Sequence, residues 1–197
     1  MSLTDAQIDR YSRQIIVPRI GGRGQERLLA ARILLAGDPR DIEAPLSYLV
    51  GAGVGSIVLK LPAGQPAFTE TSEQNPDVFV SVSDKSQDRV DLALVIVGST
   101  AAKKIADEVA NDRDVPTSVI ARLDSPGKIL VIPNTRSPRS DDATFGTRSD
   151  AANFIAMLAT VEAFKLLAGY AENPRPSTID FTGYETRVRN HESESRS

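Results

Sequence analysis

The chain contains no cysteine. On that count alone disulfides, thiolate zinc sites, iron–sulfur clusters and a cysteine nucleophile are excluded. Histidine occurs once, as His191 in a polar tail. A histidine metal site or a serine–histidine–aspartate triad is therefore not expected in the core. No run of about 18 or more apolar residues exists, so no membrane span is expected. The first residues lack a basic segment leading into an apolar one, so no secretory signal is expected and the cytoplasm is the expected compartment. An excess of base is missing as well: 26 acids stand against 23 bases, a net charge of -3. General nucleic-acid binding needs the opposite balance. No internal repeat is evident.

What is present suits one folded unit. With 197 residues, 41% hydrophobic and 25% charged, the chain can bury a single core. Thr4 and Gln7 have the spacing of a capping box, which predicts a helix over 4–12. Gly21, Gly22 and Gly24 mark a loop before a short helix over 25–31. The apolar run 32–37 reads as a buried strand. A helix to about residue 50 follows, closed by Gly51 and Gly53. Further strands are expected over 56–61, 77–83, 91–97, 117–122 and 128–133, with 91–97 the most apolar and central. A helix is expected over 100–111, and strong turn chemistry marks 124–127. Segments 62–76 and 134–150 read as loops, and a polar loop as long as the second is functional or disordered. The helix over 150–168 places Phe154, Leu158, Val161 and Lys165 on one face and stops at Gly169. A hairpin over 177–189 turns at Thr182-Gly183. Strands alternating with helices predict a Rossmann-like α/β fold, with a mostly parallel sheet and antiparallel strands added at the C-terminal part.

Several motifs carry a resemblance. Tyr11-Ser12-Arg13-Gln14-Ile15 is followed by Gly21-Gly22, Gly24-Gln25 and Leu28-Leu29. Later come Tyr48-Leu49, Ala52-Gly53-Val54-Gly55, Asn75-Pro76, and Ala159, Glu162-Ala163 and Lys165-Leu166. In this order they resemble the MoeB/ThiF/HesA family of the ubiquitin-activating-enzyme superfamily. The resemblance implies one such domain over 1–189 and a homodimer, and the terminal tail over 190–197 is expected to be disordered. It also implies ATP and Mg²⁺ as cofactors, and adenylation of a ubiquitin-like or sulfur-carrier protein.

The residues argue against that activity part by part. The family's phosphate loop, GxGxxG, falls on Gly37, Pro39 and Ile42. Pro39 has no N–H to donate, and Ile42 is branched where a backbone should approach a phosphate. Asp38, Asp41 and Glu43 add acids there, and Asp38 and Asp41 are expected to cap the following helix. Arg40 offers an unusual phosphate contact as the open alternative. Leu61 stands where a ribose-binding acid is expected. The family's SNLQRQ segment has no room between Leu61 and Asn75. Gly98-Ser99 replaces the family's metal-binding acid and its neighbour, leaving nothing to hold Mg²⁺. Gly98-Ser99 is instead expected to make a tight turn with a hydroxyl cap.

Arg13 is kept within its motif. In the family this arginine reaches the ATP phosphates of a partner subunit. Here it pairs with an acid or helix terminus at a dimer interface, or serves a partner's site in trans. Arg136, Arg139 and Arg148 share the long loop with Asp141 and Asp142, a mixed-charge segment that is mobile or binds an acidic partner. Lys103 and Lys104 read as a solvated face, and Tyr170 and Tyr184 as packing residues. The reading is a degenerate, non-catalytic binding or regulatory subunit. It has no catalytic residues, no metal and no cofactor, and a vestigial nucleotide site at Arg13, Gly37 and Gly98. Its partner would be a ubiquitin-like or sulfur-carrier protein, or an active paralogue. The alternatives are an adenylyltransferase with a remodelled site, and a different small ligand in the cleft near Gly37 and Gly98.

Overall fold

The computed structural model describes residues 2–65, 75–82, 89–133, 146–170, 177–182 and 185–190. Most of the two expected long loops, the turn at Gly183 and the tail beyond Asn190 lie outside these residues.

Eight strands form one sheet in the order β3-β2-β1-β4-β5-β6-β7-β8. They are β1 (Arg32–Gly37), β2 (Ser56–Lys60), β3 (Phe79–Val82), β4 (Leu92–Val97), β5 (Thr117–Arg122), β6 (Gly127–Pro133), β7 (Ser177–Thr182) and β8 (Glu185–Asn190). The first five are parallel. The last three are added antiparallel. This is the expected Rossmann-like architecture. β4 is buried at all six positions because sheet neighbours flank it on both edges and helices cover both faces. A continuous apolar run is the sequence form of such a strand.

Three helices cover one face: α3 (Gly21–Ala30), α4 (Pro39–Ala52) and α6 (Ala152–Leu167). The other face is covered by α5 (Thr100–Asn111). Two of these helices differ from the sequence expectation. The glycines at 21, 22 and 24 are not a loop but the first turns of α3. A Cβ at Gly24 would lie 3.3 Å from the Ala168 carbonyl, so glycine lets α3 sit close against the end of α6. In α6 the buried face is Ala152, Ile155, Ala156, Ala159, Thr160, Ala163 and Phe164. Phe154 is instead 60% exposed. Small side chains bring the helix down onto the sheet, while Leu158 packs only partly buried against the core and Phe154 falls to the outer side.

The N-terminal arm consists of α1 (Asp5–Arg10) and α2 (Ser12–Ile15). The expected capping box of Thr4 and Gln7 is formed. Between the helices Tyr11 is 1% exposed. Its ring lies on Gly53, whose φ of 79° and close approach to that ring both require glycine. Its hydroxyl donates to Asp77 Oδ2 at 3.0 Å and accepts from Asn75 Nδ2 at 3.0 Å. Asn75 also donates to the Val50 carbonyl at 2.8 Å. Three motifs that resemble functional signatures thus meet in one structural joint. Gly53 precedes β2 and Asn75 precedes β3, so the arm is fastened at the N-terminal ends of the parallel strands.

Candidate functional site

β1 and β4 are neighbours that leave the sheet in opposite directions. β1 leads through α4 to β2, and β4 leads through α5 to β5, with α4 and α5 on opposite faces. Such a reversal opens a crevice beyond the carboxyl ends of the two strands, where Rossmann-like folds take their ligands. Gly37 ends β1 and Gly98 follows β4, so the structure brings these two expected site residues together. Gly37 has φ of 148°, and a Cβ there would stand 2.5 Å from the Ile96 carbonyl. Only glycine fits that conformation and that approach.

The acid at the start of α4 takes a different place from the one expected. Asp38 is the N-cap by backbone, but its side chain makes no capping hydrogen bond. Its Oδ2 is buried without a hydrogen-bond partner among the described residues. Pro39 opens the helix, where a missing N–H costs it nothing. The Asp41 N–H is already used by the Asp38 carbonyl at 2.9 Å. Asp41 itself turns inward, its side chain fully buried. A Cβ at Gly98 would overlap Asp41 Oδ2. Glycine at 98 therefore makes room for a carboxylate.

The counter-ion comes from the far side of the crevice. Arg148 Nη1 lies 2.8 Å from Asp41 Oδ1, with the Arg148 side chain 35% exposed. The contact is an ion pair without the alignment of a hydrogen bond. Arg40 Nε is farther away, at 3.7 Å. Residues 146–149 run antiparallel beside 123–125 and carry Arg148 across the strand ends. Ser125 N donates to the Thr147 carbonyl at 2.8 Å, and Ser149 N to the Leu123 carbonyl at 2.7 Å. Asp124 holds this segment, accepting from Gly146 N at 3.0 Å and from Arg122 Nε at 3.1 Å. Burial pushes the Asp124 carboxyl up. The bonds from Arg122 and Gly146 outweigh that and hold it below the usual carboxylate range.

The other expected positions are also placed. Lys60 ends β2 and pairs with Glu108 of α5 at 2.8 Å. Leu61 packs partly buried against the core. Ser99 Oγ accepts from Ala102 N at 3.2 Å, the expected hydroxyl cap of α5. Arg13 is exposed on α2, and no ion pair among the described residues involves it. Its arm is fastened at the opposite end of the strands from the crevice, so one chain does not bring Arg13 to Gly37 and Gly98. The joining of Asp41 to Arg148 was not foreseen. The only sequence signal was an acid at a helix start and an arginine in a distant polar loop.

No protein-family model matches the chain. Among curated proteins, it is 29% identical over 130 residues to SAMP-activating enzyme E1 of Haloferax volcanii, covering 54% of this chain and 48% of that protein. It is 44% identical over 57 residues to sulfur carrier protein adenylyltransferase of Thermus thermophilus, covering 29% and 21%. Against sulfur carrier protein ThiS adenylyltransferase of Escherichia coli it is 22% identical over 232 aligned positions, 95% of this chain and 92% of that protein. The curated relatives it resembles are ThiF/MoeB-type sulfur carrier adenylyltransferases and E1-like enzymes. Solved structures agree on the fold. Escherichia coli MccB with ATP matches with a TM-score of 0.67 at 13% identity, over 95% of this chain and 72% of MccB. PaaA matches with a TM-score of 0.62 at 16% identity, over 96% and 75%. The chain spans less than half the length of the first of these curated relatives. In the described residues no helix is long and apolar enough to cross a membrane.

Proposed function

We propose that this ThiF/MoeB-type chain is a non-catalytic binding or regulatory subunit that does not itself adenylate a carrier. The observation that carries the reading is the buried Asp41 carboxylate, lodged against Gly98 in the crevice and paired with Arg148. A triphosphate does not fit beside it. Like charges in a site shielded from water repel, and Arg148 is already engaged. The first turn of α4 offers few donors, since Pro39 has none and the Asp41 N–H is bonded to Asp38. Leu61, just beyond β2, cannot accept a ribose hydrogen bond. Gly98-Ser99 supplies no carboxylate to a magnesium ion. ATP and Mg²⁺ are accordingly not cofactors of this chain, and Gly37 and Gly98 are a vestigial nucleotide site.

The fold of the solved structures is retained. The curated relatives are named for SAMP activation and sulfur carrier adenylylation, so a ubiquitin-like or sulfur-carrier protein is the partner this chain would hold. The chain forms a homodimer, or pairs with an active paralogue that receives Arg13 across the interface. Arg13 is exposed and presented by an anchored arm, as a residue acting on another subunit must be. The test is calorimetric titration with Mg-ATP, followed by pyrophosphate exchange with a candidate carrier. No saturable binding and no exchange are expected. Micromolar binding together with exchange would overturn the reading.

A further inference from the structure

The Asp41–Arg148 pair has the form of a site that is already full. A helix N-terminus, a strand-end glycine and an arginine converge on one point, and an anion of the chain's own occupies it. The Asp41 side chain is fully buried, and the space a side chain would need at Gly98 is the space its Oδ2 takes. Neither Asp41 oxygen has a hydrogen bond among the described residues, and Arg148 Nη1 is buried with its hydrogen-bonding capacity unused. Among the described residues the carboxylate is held by its ion pair with Arg148 and by no hydrogen bond. An anion with more acceptor oxygens would use the same surroundings better.

We propose that Asp41 is an autoinhibitory plug. Its carboxylate takes the anion seat of the crevice, and removing it opens the seat to a phosphate-bearing ligand held by Arg148. Arg148 is carried by a segment that the Asp124 bonds fix across the strand ends. The backbone that carries the arginine is therefore held independently of the carboxylate. The inference goes beyond the proposed function. A chain that activates a carrier only after the pair opens would carry the same plug.

The test uses the full chain and inorganic pyrophosphate as the probe, followed by calorimetry at fixed ionic strength. Wild type, Asp41→Gly, Asp41→Asn and Asp41→Gly/Arg148→Gln are compared. Asp41→Gly should bind at least tenfold tighter than wild type, and adding Arg148→Gln should remove that gain. Asp41→Asn keeps the shape and removes the charge, so a gain of at least threefold is expected. It carries the test if the glycine variant does not fold. Equal affinity in wild type and both single variants overturns the plug. So does a gain that survives Arg148→Gln. Separate titrations with Mg-ATP keep the two readings apart. Wild-type binding with carrier-dependent exchange sinks the non-catalytic reading, whereas failure of both Asp41 variants to gain pyrophosphate sinks only the plug.

Discussion

Asp41 Oδ1 stands 2.8 Å from Arg148 Nη1, tying the first turn of α4 to the segment that closes over β4 and β5. One partner is wholly buried and the other a third exposed. Breaking such a pair from the arginine side leaves a charge without a counter-ion. Arg148→Ala should cost about 1–3 kcal/mol by urea denaturation, below the range for fully buried pairs because water reaches the arginine. Adding Asp41→Asn to it should restore part of the loss, giving a coupling readable in a double-mutant cycle.

Gly98 has no room for a methyl group. Gly98→Ala should destabilise the chain by roughly 1–3 kcal/mol through overpacking against Asp41. Asp41→Ser in the same chain should relieve most of that penalty. If the double variant melts no higher than Gly98→Ala alone, the carboxylate is not what the glycine accommodates.

Tyr11 fastens the arm through its ring and its hydroxyl. Tyr11→Phe keeps the ring on Gly53 but leaves Asn75 and Asp77 short of a partner, at a cost of about 1–2 kcal/mol. Burial raises the Tyr11 pKa above its ordinary value. The bonded phenol therefore adds stability that is fully present below the ordinary tyrosine range and is lost as pH rises through the raised pKa. Wild type should lose stability on the alkaline side of pH ~10, and Tyr11→Phe should lose less of it there. Chemical denaturation from pH 8 upward, about where tyrosine is still protonated, reads the difference.

Asp124 gives the opposite signature. Its folded pKa is depressed by Arg122 and Gly146 against the pull of burial. Its contribution is therefore present above the ordinary carboxylate pKa and is lost as pH falls from about 4 toward the lower folded value. Asp124→Asn should be less stable than wild type at neutral pH and converge with it in acid. Parallel curves at all pH values would show that Asp124 is not ionised against Arg122.

Arg13 is exposed, so Arg13→Ala should shift stability by no more than about 0.5 kcal/mol. On the proposed reading it weakens self-association or lowers the activity of an associated active paralogue. Unchanged sedimentation and unchanged partner activity would remove Arg13 from any role across an interface.

Much of the architecture was legible because local rules and tertiary packing agree. β1, α5 and β5 begin and end where the apolar runs, the Ser99 cap and the turn residues put them. The helix carrying Gly21, Gly22 and Gly24 was not legible. Glycine there serves close packing against Ala168, and the code for that is the same as the code for a loop. The buried face of α6 is hidden in the sequence for a related reason. The sheet selects small residues under a closely seated helix, whereas hydrophobicity ranks Phe154 first. In the site, Gly37 and Gly98 could be paired by strand order. The Asp41–Arg148 contact could not, because no local pattern joins a helix start to a loop so distant in sequence.

The helices are shared unequally between the two faces of the sheet. α3, α4 and α6 bury one side deeply, while α5 guards the other and leaves Leu34, Leu130 and Ile132 only partly covered. Opening energies follow buried apolar contact. Amides of α5 should therefore trade their protons with solvent before those of α4 and α6, and the molecule has a shallow side that breathes and a deep side that lets go only when everything does.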